Sequence, residues 1–209
     1  MNLTNHFWFF KKALSPRLCD DIIRYGLSKK EEIGIAGDVT RDDEEKVLNM
    51  QKTERNSNVA WLNDHWIYKE IIPFIQEANV SAGWNYELCK AEDIQFTKYK
   101  IDQYYDWHCD SFEKPFNNPE SSYHGMVRKV SVTCQLTDNL EYEGGELQFD
   151  TRSYNPEKRD EGKHIISTKE LLSKGSIVVF PSFVWHRVKP IKKGTRYSLV
   201  LWNLGYPFK

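Results

Sequence analysis

The sequence predicts an α+β fold in which N-terminal helices lead into a β sandwich or barrel. Three observations carry that prediction. Apolar residues recur at helical spacing in two segments before Trp84. Beyond Trp84, short apolar runs alternate with polar residues and are cut by turn signals, and no long helical pattern returns. Aromatic residues make up 14% of the chain, with seven Trp and eleven Tyr, a composition suited to half-buried pleated surfaces and a substantial core. At 209 residues and 40% hydrophobic, the chain reads as one domain, helical over about residues 1–84 and β-rich over about 85–209.

The first helix should begin at Ser15-Pro16, an N-cap followed by a proline at the first helical position. Leu18, Ile22, Ile23 and Tyr25 supply its apolar stripe, and Gly26 lies where it should stop. Residues 29–58 are polar and charge-dense, with Asp42-Asp43-Glu44-Glu45 and two glycines. They read as a mobile loop with at most one short helix, and as the best candidate for a lid. Asp64 can cap a second helix carrying Ile67, Ile71, Phe74 and Ile75, with Pro73 as a source of a kink. Strands are expected over 93–100, 104–108, 129–136, 146–150, 176–180, 184–188 and 197–202. Gly144-Gly145 and Lys174-Gly175 mark turns between them.

Composition also excludes some functions. With 29 basic and 30 acidic side chains the formal charge is −1, which argues against gripping long stretches of nucleic acid. The longest apolar run near the N-terminus is Phe7-Trp8-Phe9-Phe10, far short of the ~20 residues of a membrane helix and too short for a signal-peptide core. No membrane association is therefore expected. Cys19, Cys89, Cys109 and Cys134 are scattered, with no CxxC pair, and read as mostly buried thiols in a reducing cytoplasm.

The chemistry gathers around His108-Cys109-Asp110. On a strand, positions i and i+2 share a face, so His108 and Asp110 can reach one ion while Cys109 points away. His186 follows on a later strand, and ten residues beyond it Arg196 opens another. Each element alone has a duller explanation: a His-x-Asp hydrogen bond, a packed core histidine beside Trp185, a surface ion-pair arginine. Together, in this order and on predicted strands, they are far more specific, because two histidines and one carboxylate form a facial triad that leaves coordination positions open on iron(II).

Longer motifs surround these residues. Tyr99 precedes His108 by nine positions. Ser131-Val132-Thr133-Cys134-Gln135-Leu136-Thr137-Asp138 is followed by Tyr142-Glu143-Gly144-Gly145-Glu146-Leu147. Lys174-Gly175-Ser176-Ile177-Val178-Val179-Phe180-Pro181-Ser182 leads to His186-Arg187-Val188 and then Gly194-Thr195-Arg196-Tyr197-Ser198-Leu199. In these three motifs, in this order and with these gaps, the sequence resembles the iron(II)- and 2-oxoglutarate-dependent oxygenases. Within them it is similar to the prolyl 4-hydroxylase-like branch that includes the PKHD-type hydroxylases. The similarity is strongest over residues 93–207. It is weaker but visible at Leu14-Ser15-Pro16 and at Arg55-Asn56-Ser57-Asn58-Val59-Ala60-Trp61.

That resemblance implies a double-stranded β-helix (jelly roll) flanked by N-terminal helices. It implies that His108, Asp110 and His186 hold Fe(2+), that Arg196 clamps the distal carboxylate of 2-oxoglutarate, that Tyr99 donates its hydroxyl to the same cosubstrate, and that Ser198 adds another. Gln135 stands where close relatives often carry a Tyr, which makes it the third candidate for a cosubstrate contact. The implied reaction consumes O2, decarboxylates 2-oxoglutarate to succinate and hydroxylates a C–H bond, with ascorbate as a supporting reductant. The presence of Asp110 favours hydroxylation over halogenation. Peptidyl proline in a peptide or protein is the leading substrate and a small molecule the other. Residues 29–58 and 111–128 are the loops that would choose it. Two alternatives from other classes use the same ligands: a zinc hydrolase and a non-catalytic cupin-like metal-binding module. Neither accounts for Tyr99 together with Arg196.

Overall fold

The computed structural model describes residues 3–37, 39–111, 114–152, 162–168 and 173–208. Its elements run β1 (Trp8–Phe10), α1 (Pro16–Leu27), β2 (Glu32–Ile33), α2 (Glu44–Thr53), β3 (Arg55–Asn56), β4 (Asn58–Leu62), α3 (His65–Ser81), β5 (Lys90–Ala91), β6 (Ile94–Tyr99) and β7 (Tyr104–His108). They continue with β8 (Val127–Gln135), β9 (Tyr142–Gly144), β10 (Leu147–Asp150), β11 (Ile165–Ser167), β12 (Ile177–Pro181), β13 (Trp185–Val188), β14 (Ile191–Gly194) and β15 (Arg196–Gly205). A major sheet has the order β1-β12-β8-β15-β6-β4-β2, with β5 attached to β15. A minor sheet has the order β11-β10-β13-β7-β3, and β14 pairs β9. The named strand pairs are antiparallel, and the arrangement is a jelly roll with helices packed on its outside.

Strand alternation sorts the side chains of the major sheet. Val130, Val132 and Cys134 of β8, Leu199 and Leu201 of β15, and Ile94 and Phe96 of β6 pack with Cys19 and Ile22 of α1 and with Ile67, Ile71 and Ile75 of α3. Their strand neighbours, Ser131, Thr133 and Gln135, Arg196 and Ser198, and Gln95, Thr97 and Tyr99, occupy the opposite face, toward the minor sheet. A smaller apolar cluster closes one end of that inner space. It joins Val178 and Phe180 of β12 to Leu147 and Phe149 of β10 and Val188 of β13. Large apolar residues thus anchor the sheet to its helices and leave polar residues to line the interior.

The helices follow their local chemistry with one difference. Ser15 caps α1, its hydroxyl accepting from Leu18 N at 3.2 Å. The helix ends at Leu27, one residue past Gly26 and so close to the expected stop. Gly26 is also a close-packing position: a Cβ there would lie 2.5 Å from the Phe96 ring. Asp64 occupies the N-cap of α3 but makes no cap hydrogen bond. Its carboxylate instead accepts from the Tyr25 hydroxyl at 2.6 Å, which ties α3 to α1. Pro73 lies inside α3.

The larger correction concerns residues 29–58, expected as a mobile lid. The described residues of this stretch contain β2, α2 and β3. Val47 and Met50 of α2 are buried, as are Ala36, Arg55 and Ser57. Asp43 caps α2 through Lys46 N at 3.0 Å. The stretch is a structured wall of the interior. It escaped the sequence reading because α2 shows only two buried positions and each strand only two residues. For the same reason the boundary at residue 84 does not divide helix from sheet: β1 and β4 belong to the major sheet and β3 to the minor one.

Gly175 holds one of the turns as expected. Its φ is +82°, and a Cβ would meet the Leu14 carbonyl oxygen at 2.0 Å. Leu14 N donates to Gly175 O at 2.9 Å, so the approach is enforced by backbone pairing. Gly83, beyond the C-cap of α3, also has a positive φ (+75°) but faces open space. Gly83→Ala should therefore cost about 1 kcal/mol for conformation alone, and Gly175→Ala on the order of 3 kcal/mol or more, since backbone must move. Denaturant unfolding of the two variants checks the ranking.

Candidate active site

The site is built by strand pairing. In the antiparallel register of β13 with β7, His186 lies opposite His108, and the two ring centroids are 4.1 Å apart. β7 ends at His108, so Asp110 is not on the strand as expected. It lies two residues beyond, where its backbone N donates to Ser182 O at 2.8 Å and the chain turns the carboxylate back toward the rings. Asp110 Oδ1 is 3.8 Å from His108 Nε2, and Oδ2 is 3.6 Å from His186 Nε2.

Hydrogen bonds fix the orientation of both rings. His108 Nδ1 faces Asp106 O at 2.7 Å, and His186 Nδ1 faces Val184 O at 3.0 Å. A carbonyl can only accept, so each Nδ1 donates, and each Nε2 is left on the Asp110 side. Burial, and then the neighbouring His186, hold the His108 imidazolium well below its ordinary pKa, so this ring is neutral. Burial pushes the Asp110 carboxyl up, but His186, His108 and Arg128 and a hydrogen bond from Ser131 outweigh it, and the net direction is down. Asp110 Oδ2 is nevertheless buried without a hydrogen-bond partner. Donor atoms from the three residues lie within 4.8 Å of one another. Two imidazole nitrogens and an anionic oxygen with an unsatisfied lone pair fit a divalent transition metal, which would give the orphaned oxygen a partner.

The second half of the site is cationic. Arg196, 1% exposed, lies opposite Tyr99 in the pairing of β15 with β6. Its Nε donates to Gln135 Oε1 at 3.0 Å. Gln135 Nε2 donates in turn to Thr137 O at 2.8 Å and to the Tyr142 hydroxyl at 3.1 Å. No carboxylate of the described residues pairs with Arg196. A cavity of about 670 Å³ joins the two halves and is lined by His108, Asp110, His186, Tyr99, Arg196 and Ser198.

Six of the seven expected site residues thus share one cavity. Gln135, although on the inner face of β8, does not line the cavity: both ends of its amide are engaged, and it holds Arg196. Cys109 departs from expectation in the other direction. Strand alternation ends at His108, and Cys109 lines the cavity with its thiol 3.6 Å from Ser111 O. The four cysteines form no disulfide, with Cys19 and Cys134 buried and Cys89 exposed. Sequence reasoning assigned no role to Arg55, Tyr105 or Tyr142. Only the Arg55–Trp61 motif carried a signal for the first of them.

Fold and site together define a jelly roll that encloses a His-Asp-His cluster able to hold a metal beside a buried guanidinium. The profile of the "2OG-Fe(II) oxygenase superfamily" matches residues 94–203. A PKHD-type hydroxylase of Prochlorococcus marinus (strain MIT 9515) is 30% identical over 189 residues, 88% of this chain and 72% of the relative. A PKHD-type hydroxylase of Synechococcus sp. (strain CC9902) is 32% identical over 56% of this chain and 43% of the relative, so this chain spans less than half of that one. The fold matches the viral collagen prolyl hydroxylase of Paramecium bursaria Chlorella virus-1 with TM-score 0.63, 18% identity and 97% of both chains covered. It also matches a Pseudomonas putida prolyl-4-hydroxylase with TM-score 0.62 and 18% identity, over 96% of this chain and 92% of that one. The chain belongs to the 2OG-Fe(II) oxygenase superfamily and, within it, to the PKHD-type hydroxylases.

The Gln135 contact has a measurable consequence. Gln135→Leu keeps the volume but leaves a buried guanidinium N–H without its acceptor. It should destabilise the protein by about 1–3 kcal/mol in denaturant unfolding, whereas a loss below ~0.5 kcal/mol would show that Gln135 does not fix Arg196.

Proposed function

We propose that this protein hydroxylates peptidyl proline, with Fe(2+) held by His108, Asp110 and His186 and with 2-oxoglutarate as cosubstrate. The observation that carries the proposal is the meeting, in one cavity, of the His-Asp-His cluster with a buried arginine that has no carboxylate of its own. Iron and 2-oxoglutarate bound there supply oxidative decarboxylation of the keto acid to succinate and carbon dioxide, with O2 as oxidant. The chain's own residues bind and orient. Arg196 pairs with the distal carboxylate, its direction set by Gln135. Burial raises the Tyr99 phenol more than Arg55 and Arg196 lower it, so Tyr99 stays protonated and donates to the same carboxylate. Ser198, one strand position pair away on the same face, adds a hydroxyl. Backbone carbonyls hold both imidazoles by Nδ1 and keep each Nε2 turned toward the ion's position.

Support for a peptide substrate comes from the solved neighbours. Two are prolyl hydroxylases in their own right, and a Trichoplax adhaerens prolyl hydroxylase, TM-score 0.55 at 19% identity, is bound to a peptide fragment. The test is succinate release from 2-oxoglutarate with Fe(2+), O2 and ascorbate, run beside a panel of proline peptides and free amino acids scored for the gain of one oxygen atom. Succinate release with no peptide oxidised would sink the proline assignment and leave the oxygenase. A zinc hydrolase or a cupin-like binding module would release none.

Two variants probe the roles. Metal that binds only the folded protein stabilises it by about 2.7 kcal/mol at a hundredfold excess over its dissociation constant. Wild type should show that thermal stabilisation with Mn(2+) or Fe(2+), and Asp110→Ala should lose it. The readout is the metal-dependent shift of each protein against its own metal-free form, so any change that the substitution makes to the apo fold cancels. Arg196→Ala leaves the cosubstrate's carboxylate buried and unpaired, at about 3–5 kcal/mol, which corresponds to roughly a hundredfold to several-thousandfold weaker 2-oxoglutarate binding. Anaerobic titration checks it. Arg196→Lys should recover only a fraction of the loss, since it offers a point charge and no fork.

A further inference from the structure

Four arginines line the cavity, and three of them are accounted for. Arg41 pairs with Glu32 at 3.1 Å, Arg128 pairs with Glu92 through two contacts of 2.6 Å, and Arg196 is assigned to 2-oxoglutarate. Arg55 is the fourth. It is 4% exposed, on β3 opposite Tyr105, and its guanidinium carbon lies 4.6 Å from the centre of the Tyr105 ring. Its Nε donates to Ser57 Oγ and its Nη1 to Ile35 O, both at 2.9 Å and both neutral acceptors. Its Nη2 is buried with no hydrogen-bond partner. Gly34 presses on it so closely that a Cβ there would lie 2.7 Å from Nε, so the fork is held in place. The other acids at the cavity, Glu54 and Asp106, are exposed, and neither forms an ion pair with it.

Charge balance sharpens the point. A divalent ion and Arg196 are offset by Asp110 and the two carboxylates of 2-oxoglutarate, which leaves Arg55 as the uncompensated charge. A buried unpaired cation is costly, and such groups cluster where a ligand supplies the counter-charge. Trp202 points the same way, since its indole N–H is also buried without a partner and its ring lines the cavity. Apart from Asp110, which faces the metal position, the unsatisfied groups at the cavity are both donors. Donors of this kind suit a ligand rich in acceptor oxygens.

We propose that the substrate enters with a carboxylate that pairs with Arg55, and that Trp202 donates to an acceptor oxygen of the same molecule. This rests on the reading of the cavity as the oxygenase site, and it narrows the substrate to proline compounds that carry either a free C-terminal carboxylate or a neighbouring acidic side chain.

The test uses the full chain loaded with Mn(2+) and 2-oxoglutarate, so that no turnover occurs, and follows binding by tryptophan fluorescence. Three acid and amide pairs serve as probes. N-acetyl-L-proline against N-acetyl-L-prolinamide reports a terminal carboxylate. Acetyl-Asp-Pro-amide against acetyl-Asn-Pro-amide reports a side-chain carboxylate. N-acetyl-L-alanine against its amide reports a carboxylate without proline. The expected result is at least tenfold tighter binding of the acid in one of the proline pairs. In Arg55→Gln that preference should collapse to within twofold, with the amide's affinity and that of 2-oxoglutarate nearly unchanged. If Arg55→Gln does not fold, Arg55→Lys takes its place and should cut the acid's affinity at least fivefold while sparing the amide. Equal binding of acid and amide in every pair, including no binding at all, overturns the proposal, as does a preference that survives in the variant. Failure of the proline reading looks different: the alanine pair then shows the same acid preference as the proline pair.

Discussion

The antiparallel pairing of β13 with β7 is the constraint on which the rest of the structure depends. Its register sets His186 beside His108, and the turn just beyond β7 returns Asp110 to both rings. A shift of one residue would send one imidazole to the outside of the minor sheet and dissolve the cluster. Carbonyls of the same strands and their connections hold each Nδ1, so backbone geometry sets ring orientation and tautomer together. The metal position is thus a property of sheet pairing, with side-chain freedom largely removed.

The major sheet supplies the complement. Because alternation places Val130, Val132 and Cys134 against the helices, Ser131, Thr133 and Gln135 are carried to the interior, and the same parity on β15 brings Arg196 and Ser198 there. The outer face holds the sheet down with branched and aromatic residues, while the inner face accepts polar groups that are costly to bury. Two guanidiniums, Arg196 and Arg55, are enclosed with neutral acceptors only. An interior arranged for its own stability would not retain both. Cosubstrate and substrate anions give each a reason to be there.

Much of this was legible in the sequence. Turn signals and alternation located seven strands, β6, β7, β8, β10, β12, β13 and β15, within a residue or two of their bounds save at the end of β15, while the five-residue β4 was missed. The order of His108, Asp110, His186 and Arg196 pointed to the site. What escaped has physical causes. β2, β3 and β5 are two residues long and have no period to detect. Residues 29–58 look like a solvated loop because their contribution to the core rests on Val47 and Met50 and on an arginine, and charge density conceals a buried Arg55. Asp64 had the composition of a cap, but a tyrosine brought near by tertiary packing competed for it. Gln135 lay on the right strand face, yet only the three-dimensional contact with Arg196 and Tyr142 shows that its amide is spent within the wall.

The claim that one cavity holds both the metal and the keto acid is tested most directly by visible absorption. Protein loaded with Fe(2+) is titrated anaerobically with 2-oxoglutarate. Chelation of the iron by the keto acid should give a visible charge-transfer band that saturates at one equivalent and is absent when succinate replaces 2-oxoglutarate. Iron binding without such a band would contradict the account, because it would place the cosubstrate somewhere other than beside the His108, Asp110 and His186 cluster.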